Sequence, residues 1–112
     1  MARLAASVVA SALLRRAASE GGFGAVLHKG DATAGSILVI LLERGASPRL
    51  YERLLQHGDA YSWQDVTPGG PDSPAQVPQL IERRRRFDPD LWVIELDIPS
   101  AERFAAEMNE AN

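Results

Sequence analysis

Cysteine is absent from this 112-residue chain. Disulfides and thiolate metal sites are therefore excluded. The absence fits a reducing compartment, so a cytoplasmic protein is expected. Lysine is nearly absent as well: the twelve basic residues are Lys29 and eleven arginines. Histidine occurs only as His28 and His57, and neither sits in a ligand motif. No apolar run approaches the ~20 residues that a membrane-spanning helix needs. Ala34-Gly35-Ser36 lacks the Gly-x-Ser-x-Gly frame of a nucleophile elbow. Gly21-Gly22-Phe23-Gly24 precedes a strand pattern rather than a helix, so it is not a phosphate loop. No motif for a metal or cofactor is present, and none is expected to bind.

What is there describes an ordinary globular domain. Apolar residues make up 46% and charged residues 24%, close to the soluble average. A chain of this length suits one domain that buries roughly two thirds of its unfolded surface. Residues 1–112 are read as one unit. The formal charge is -3, whereas a general nucleic-acid coating protein is basic. Any binding of phosphate must come from a local patch.

The segment from Met1 to Ala18 carries Arg3, Arg15 and Arg16 and has no acid before Glu20, mildly like a transit peptide. Its apolar centre is short and is interrupted by Ser7. An integral first element is the better expectation: a helix over Leu4–Ala18 ended by Gly21, or a short strand leading into a helix from Val9.

Phe23–Lys29 reads as a strand, with Phe23, Ala25 and Leu27 on one face and Val26 and His28 on the other. Gly30-Asp31 signals a turn, and Ala32–Gly35 a connector. Ser36–Glu43 is continuously apolar and predicts a central strand buried on both faces. Arg44–Pro48 predicts a hairpin leading to a strand over Arg49–Leu55. After a turn at Gln56–Ala60, Tyr61–Val66 reads as a shorter strand. Thr67–Pro78 contains Pro68, Pro71, Pro74 and Pro78 and reads as a loop.

Ser73-Pro74-Ala75-Gln76 has capping-box form, so a helix begins near Pro74, kinks or restarts at Pro78, and runs to Phe87. Asp88-Pro89 ends it. Leu91–Ile98 is the second strong strand, and Ala101–Glu110 a last helix. The prediction is an α+β domain: about five mostly antiparallel strands, four of them in a meander, with two to three helices on one face in two layers.

Two stretches carry a resemblance. One is Ser11-Ala-Leu-Leu-Arg-Arg with Gly22-Phe23 and Gly30-Asp31-Ala32-Thr33-Ala34-Gly35. The other is Arg85-Arg86-Phe87-Asp88-Pro89-Asp90-Leu91-Trp92-Val93-Ile94-Glu95. Together they resemble the DUF1491 family of short bacterial proteins, mainly alphaproteobacterial, a domain of unknown function. The resemblance spans nearly the whole chain and is weak over Gln56–Pro78. It implies a bacterial, cytosolic protein and an uncleaved first element. It implies no activity, cofactor or catalytic residue.

The densest chemistry is the run Arg83-Arg84-Arg85-Arg86 before the Asp88-Pro89-Asp90 turn. Successive helical residues turn by about 100°, so four in a row point to every side. Such a run can offset the helix dipole or pair with nearby acids. It can also clamp a carboxylate or phosphate in bidentate fashion. Arg15 and Arg16 are candidates to join it, with Asp88, Asp90 and Trp92 as polar partners. Asp88 itself is expected to cap a turn, and Trp63 and Trp92 to lie in a core or interface.

No paired acid–base set is legible. A non-enzymatic binding module with an arginine-rich, anion-facing surface is the leading expectation. Its partner would be an anionic ligand or an acidic protein surface, and a homodimer is one form it could take. A small enzyme acting on an anionic metabolite is the alternative, with Asp88, Asp90 or His28 supplying acid–base chemistry. A nucleic-acid regulator, with Tyr61, Trp63 and Trp92 stacking bases, comes third.

Overall fold

Two strands, β2 (Ile37–Glu43) and β5 (Trp92–Ile98), lie side by side and parallel at the centre of the sheet; β2 is apolar on both faces through Leu42, whereas β5 is wholly apolar on one face only, with Glu95 and Asp97 following Val93 on the other. The computed structural model describes residues 4–56, 60–69 and 73–110. His57, the middle of the Gln56–Ala60 turn and the start of the chain through Arg3 lie outside these residues. Five strands run in the order β1-β5-β2-β3-β4, where β1 is Phe23–His28, β3 is Ala46–Leu55 and β4 is Tyr61–Asp65. Three helices accompany them: α1 (Ala6–Ser19), α2 (Ser73–Phe87) and α3 (Ala101–Glu110).

The α+β class and the five strands match the sequence expectation, and three of the four strand pairings are antiparallel. The expected four-strand meander is interrupted, because β5 inserts between β1 and β2. The reason is burial. β2 is apolar on both faces and needs covering on both, which a central position provides, and β5 sets its apolar stripe of Trp92, Ile94, Leu96 and Ile98 beside it in one core. β1 is mostly exposed and takes an edge.

The sequence expectation placed the helices on one face; they occupy both. Ile37, Val39, Leu41, Trp92, Ile94, Leu96 and Ile98 form one core with α1 and α3. The alternate residues Leu38, Ile40 and Val93 form a second core with Leu50, Leu91 and the α2 residues Leu80 and Ile81. Each large aliphatic side chain fully buried in this way contributes ~1.5–3 kcal/mol.

The ends of α1 show how local sequence positions it. Gly21 takes φ 86°, a conformation glycine adopts without strain. It lets Gly22 N–H reach the Ala17 carbonyl at 2.9 Å and Gly21 N–H the Ala18 carbonyl at 3.2 Å, a Schellman cap. At the other end no side chain caps the helix. Instead the 32–35 connector turns under it, and the Thr33 and Ala32 carbonyls accept from the Ala6 and Ser7 amides. With Ala6, Val9, Ala10, Leu13 and Ala17 buried, α1 is integral to the core. It is helical from Ala6, with no strand before it among the described residues.

The β2–β3 hairpin is tighter than expected. Arg44 and Gly45, both at positive φ, make a two-residue turn, so β3 begins at Ala46. Helix α2 starts at Ser73 and continues through Pro78, absorbing the last part of the expected 67–78 loop.

Candidate functional site

Helical periodicity distributes the four arginines among three environments. Val77, Leu80, Ile81 and Arg84 form the inward stripe of α2, and Arg84 is drawn to the sheet. Its guanidinium grips Glu52 of β3 through two hydrogen bonds, 2.9 and 2.5 Å, with the Glu52 residue buried. Those bonds hold Arg84 above the ordinary arginine pKa, against the opposing effect of burial. Arg84 is thus a structural clamp.

Pro78, Glu82 and Arg86 follow one another at intervals of four, with Ile81 and Arg85 beside them, so they make one flank of α2. This flank lines an open groove of about 620 Å³ whose remaining walls are His28 and Pro89. Arg85 makes no ion pair among the described residues, and Arg86 meets only Glu82 at 3.8 Å, with both side chains largely in water. Such an exposed pair contributes little. Arg83 points away to solvent and is absent from the groove.

His28 enters the groove through a backbone irregularity. Phe23 and Ala25 stand opposite Asp97 and Glu95, and Val26 stands opposite Ile94. The register then shifts, so that His28 stands opposite Val93. Leu27 is the extra residue of a β-bulge. Without it His28 would share the α1 face with Val26; with it, His28 joins the α2 face. Its Nδ1 lies 2.7 Å from the Leu91 carbonyl, which can only accept, so Nδ1 carries the proton. The remaining ring nitrogen, Nε2, is left to act as donor or acceptor. The sequence reading gave His28 no partner. The structure brings it to Arg85, Arg86 and Glu82.

The other nominated residues lie elsewhere. Arg15 and Arg16 belong to α1, on the opposite face of the sheet. Arg16 is occupied by Glu20 at 3.2 Å and Glu107 at 2.5 Å, and it stacks over Phe104 at 4.4 Å. Arg15 is exposed. Asp88 accepts from the Asp90 amide at 3.1 Å, the turn role expected of it. Asp90 supplies its carbonyl to Asp31 N–H at 3.0 Å. Trp92 is buried and donates Nε1–H to the Asp31 carbonyl at 2.7 Å. Asp88 thus holds the turn and Trp92 the core beside the groove, the Asp90 residue is exposed, and Pro89 alone of that turn lines the groove. The aromatics nominated for base stacking are also occupied. Trp63 and Trp92 are buried, and Tyr61 lies under the Arg53 guanidinium at 3.8 Å.

Residues 4–106 match the sequence profile of a family described as "Protein of unknown function (DUF1491)". The chain is similar to the solution structure of protein Atu0922 from A. tumefaciens, with 32% identity, 92% of each chain covered and a TM-score of 0.77. It is similar to the crystal structure of a DUF1491 family protein from Caulobacter crescentus, with 31% identity, 91% of this chain and 94% of that one covered, and a TM-score of 0.78. An NMR structure of a DUF1491 family protein from the same organism gives 32% identity, 93% and 94% coverage, and a TM-score of 0.74. No curated protein matches. Among the described residues no helix is long and apolar enough to cross a membrane.

Proposed function

The chain belongs to the DUF1491 family of proteins of unknown function, and we propose that it is a binding module for a small anion seated in the groove between α2 and the end of β1. One observation carries this reading. Arg85 and Arg86, without any buried partner, line the same concavity as His28, while Arg84 is consumed by the fold. Two guanidinium groups provide fork-shaped donors that match a carboxylate or phosphate. The Nε2 of His28 adds a third polar contact, and Pro78, Ile81 and Pro89 supply apolar walls. Four of the seven lining residues, His28, Glu82, Arg85 and Arg86, are polar, which suits a small charged ligand.

The test is a titration of inorganic phosphate and of citrate followed by the resonances of His28, Arg85 and Arg86. Arg85→Glu combined with Arg86→Glu is expected to abolish the response, with the fold retained. A response that survives both reversals would place the ligand elsewhere.

A second reading is favoured by one further feature: an imidazole with one nitrogen tied to a carbonyl and the other left for chemistry. That arrangement suits a general base or acid acting on an arginine-held anionic substrate. It supports a small enzyme in which His28 moves the proton and Arg85 and Arg86 hold the substrate. Turnover of a generic phosphomonoester or carboxylic ester that His28→Gln abolishes, with phosphate binding intact, is the result expected on this reading. No turnover of any such substrate leaves binding alone.

A further inference from the structure

The two edges of the sheet are treated differently. On β4, the Asn109 carboxamide of α3 acts as a substitute strand: its Oδ1 accepts from Trp63 N–H at 2.7 Å and its Nδ2 donates to the Trp63 carbonyl at 3.2 Å. That edge is capped at its middle residue. On β1, the other edge, no hydrogen bond among the described residues reaches the side facing away from β5. An open edge presents a row of unpaired amides and carbonyls, and proteins usually blunt it with charge, proline or cover. β1 contains no proline and no Asp, Glu, Lys or Arg, and it carries the exposed apolar side chains Phe23 (66%), Val26 (39%) and Leu27 (53%).

This edge is continuous with the cationic groove, because His28 is both the last residue of β1 and a wall of the groove. Backbone pairing sites and apolar side chains therefore lead directly to Arg85 and Arg86. Such an edge suits recognition by strand addition, in which main-chain bonds supply affinity and pockets at one end supply specificity.

We infer that β1 is a docking edge for an extended peptide segment of a partner protein, with alternating apolar residues along the strand and carboxylates seated in the groove. The inference rests on the anion-binding reading of that groove and names its ligand class. Charge complementarity selects an acidic segment: among the described residues Arg85 and Arg86 have no buried counter-charge, and the one acid lining the groove is the largely exposed Glu82. A second copy of this chain is a poorer occupant. Its own β1 has no acid, and its Glu20, nearest the start of that strand, is already held by Arg16 and Arg103.

The probes are Glu-Glu-Val-Thr-Val-Thr-Val and its reverse, titrated into the full chain alongside inorganic phosphate. At least one peptide is expected to bind ten-fold or more tightly than phosphate and to slow amide exchange across residues 23–28. N-methylation of that peptide at alternate residues is expected to cost ten-fold or more in one of the two frames, because only one frame faces the protein. Phosphate binding that persists while no peptide protects the β1 amides overturns the inference and leaves the groove reading standing. Protection of β1 with no response at His28, Arg85 or Arg86 sinks the groove reading and the acidic assignment with it. A dimer in sedimentation that Leu27→Lys dissociates, with the fold unchanged, assigns the edge to a second copy and overturns the inference as well.

Discussion

Arg84 and Glu52 meet through two parallel hydrogen bonds that tie the last turns of α2 to the middle of β3. Arg84 shares the inward stripe of α2 with Val77, Leu80 and Ile81, which leaves Arg85 and Arg86 on the flank that lines the groove. Removing one member of the pair leaves the other charge in a poorly hydrated place. A fully buried pair broken this way costs ~3–5 kcal/mol. Arg84 keeps 34% of its side-chain surface in water, so Glu52→Ala is expected to cost about 2 kcal/mol. Glu52→Leu combined with Arg84→Met is expected to recover most of that loss. Urea unfolding of the three proteins checks the order.

Asp65 predicts an acid limb of stability. Burial favours its protonated form, but the Thr67 hydroxyl and amide, and then Arg49, outweigh burial and hold the carboxyl below its ordinary value. A group depressed in the folded state contributes stability that is complete above its unfolded pKa and fades as pH falls toward the folded one. The contribution is therefore constant above about pH 4 and declines only in more acid solution. Melting temperatures of wild type and Asp65→Asn are expected to differ by a fixed interval from pH 5 to 7. The curves should converge below about pH 4.

Gly30 permits the close approach that closes the loop behind His28. A methyl group there would collide with the Asp90 backbone carbonyl, which accepts from Asp31 N–H. Backbone cannot swing aside as a flexible side chain can. Gly30→Ala is expected to destabilise by about 2 kcal/mol or more, measured by urea unfolding.

The capped edge makes its own prediction. Asn109→Ala strips both partners from the Trp63 backbone. A loss of about 1 kcal/mol is expected from the hydrogen bonds. Self-association should also appear in sedimentation, because a second edge is then open.

The arginine run separates into clamp, groove and solvent members, and charge reversal should read that division directly. Arg83→Glu is expected to leave phosphate affinity within two-fold of wild type. Arg85→Glu and Arg86→Glu are each expected to lower it ten-fold or more, since a charge-assisted bond contributes ~1.5–3 kcal/mol. The affinity should fall with added salt, as the groove is open to solvent.

Much of this architecture follows from local pattern. The continuous apolar run of β2 demands cover on both faces, so β2 is central by composition alone. Gly21 stops α1, and Asp88 turns the chain after α2, through bonds spanning only a few residues. That four consecutive arginines must point different ways is equally a property of the helix. Which arginine meets which partner is not, because Glu52 lies 32 residues from Arg84.

His28 marks the boundary most clearly. Strict alternation puts it on the face of Val26, and a single extra residue at Leu27 puts it on the other. The bulge arises from how β1 pairs with a strand that follows it by some 65 residues in the chain, and no neighbouring residue announces it. Composition and periodicity thus determined the class, the central place of β2 and the spread of the arginines. The sheet order, the use of both faces and the meeting of His28 with Arg85 and Arg86 were decided by long-range pairing, since strand register is settled by the partner strand and not by the strand itself.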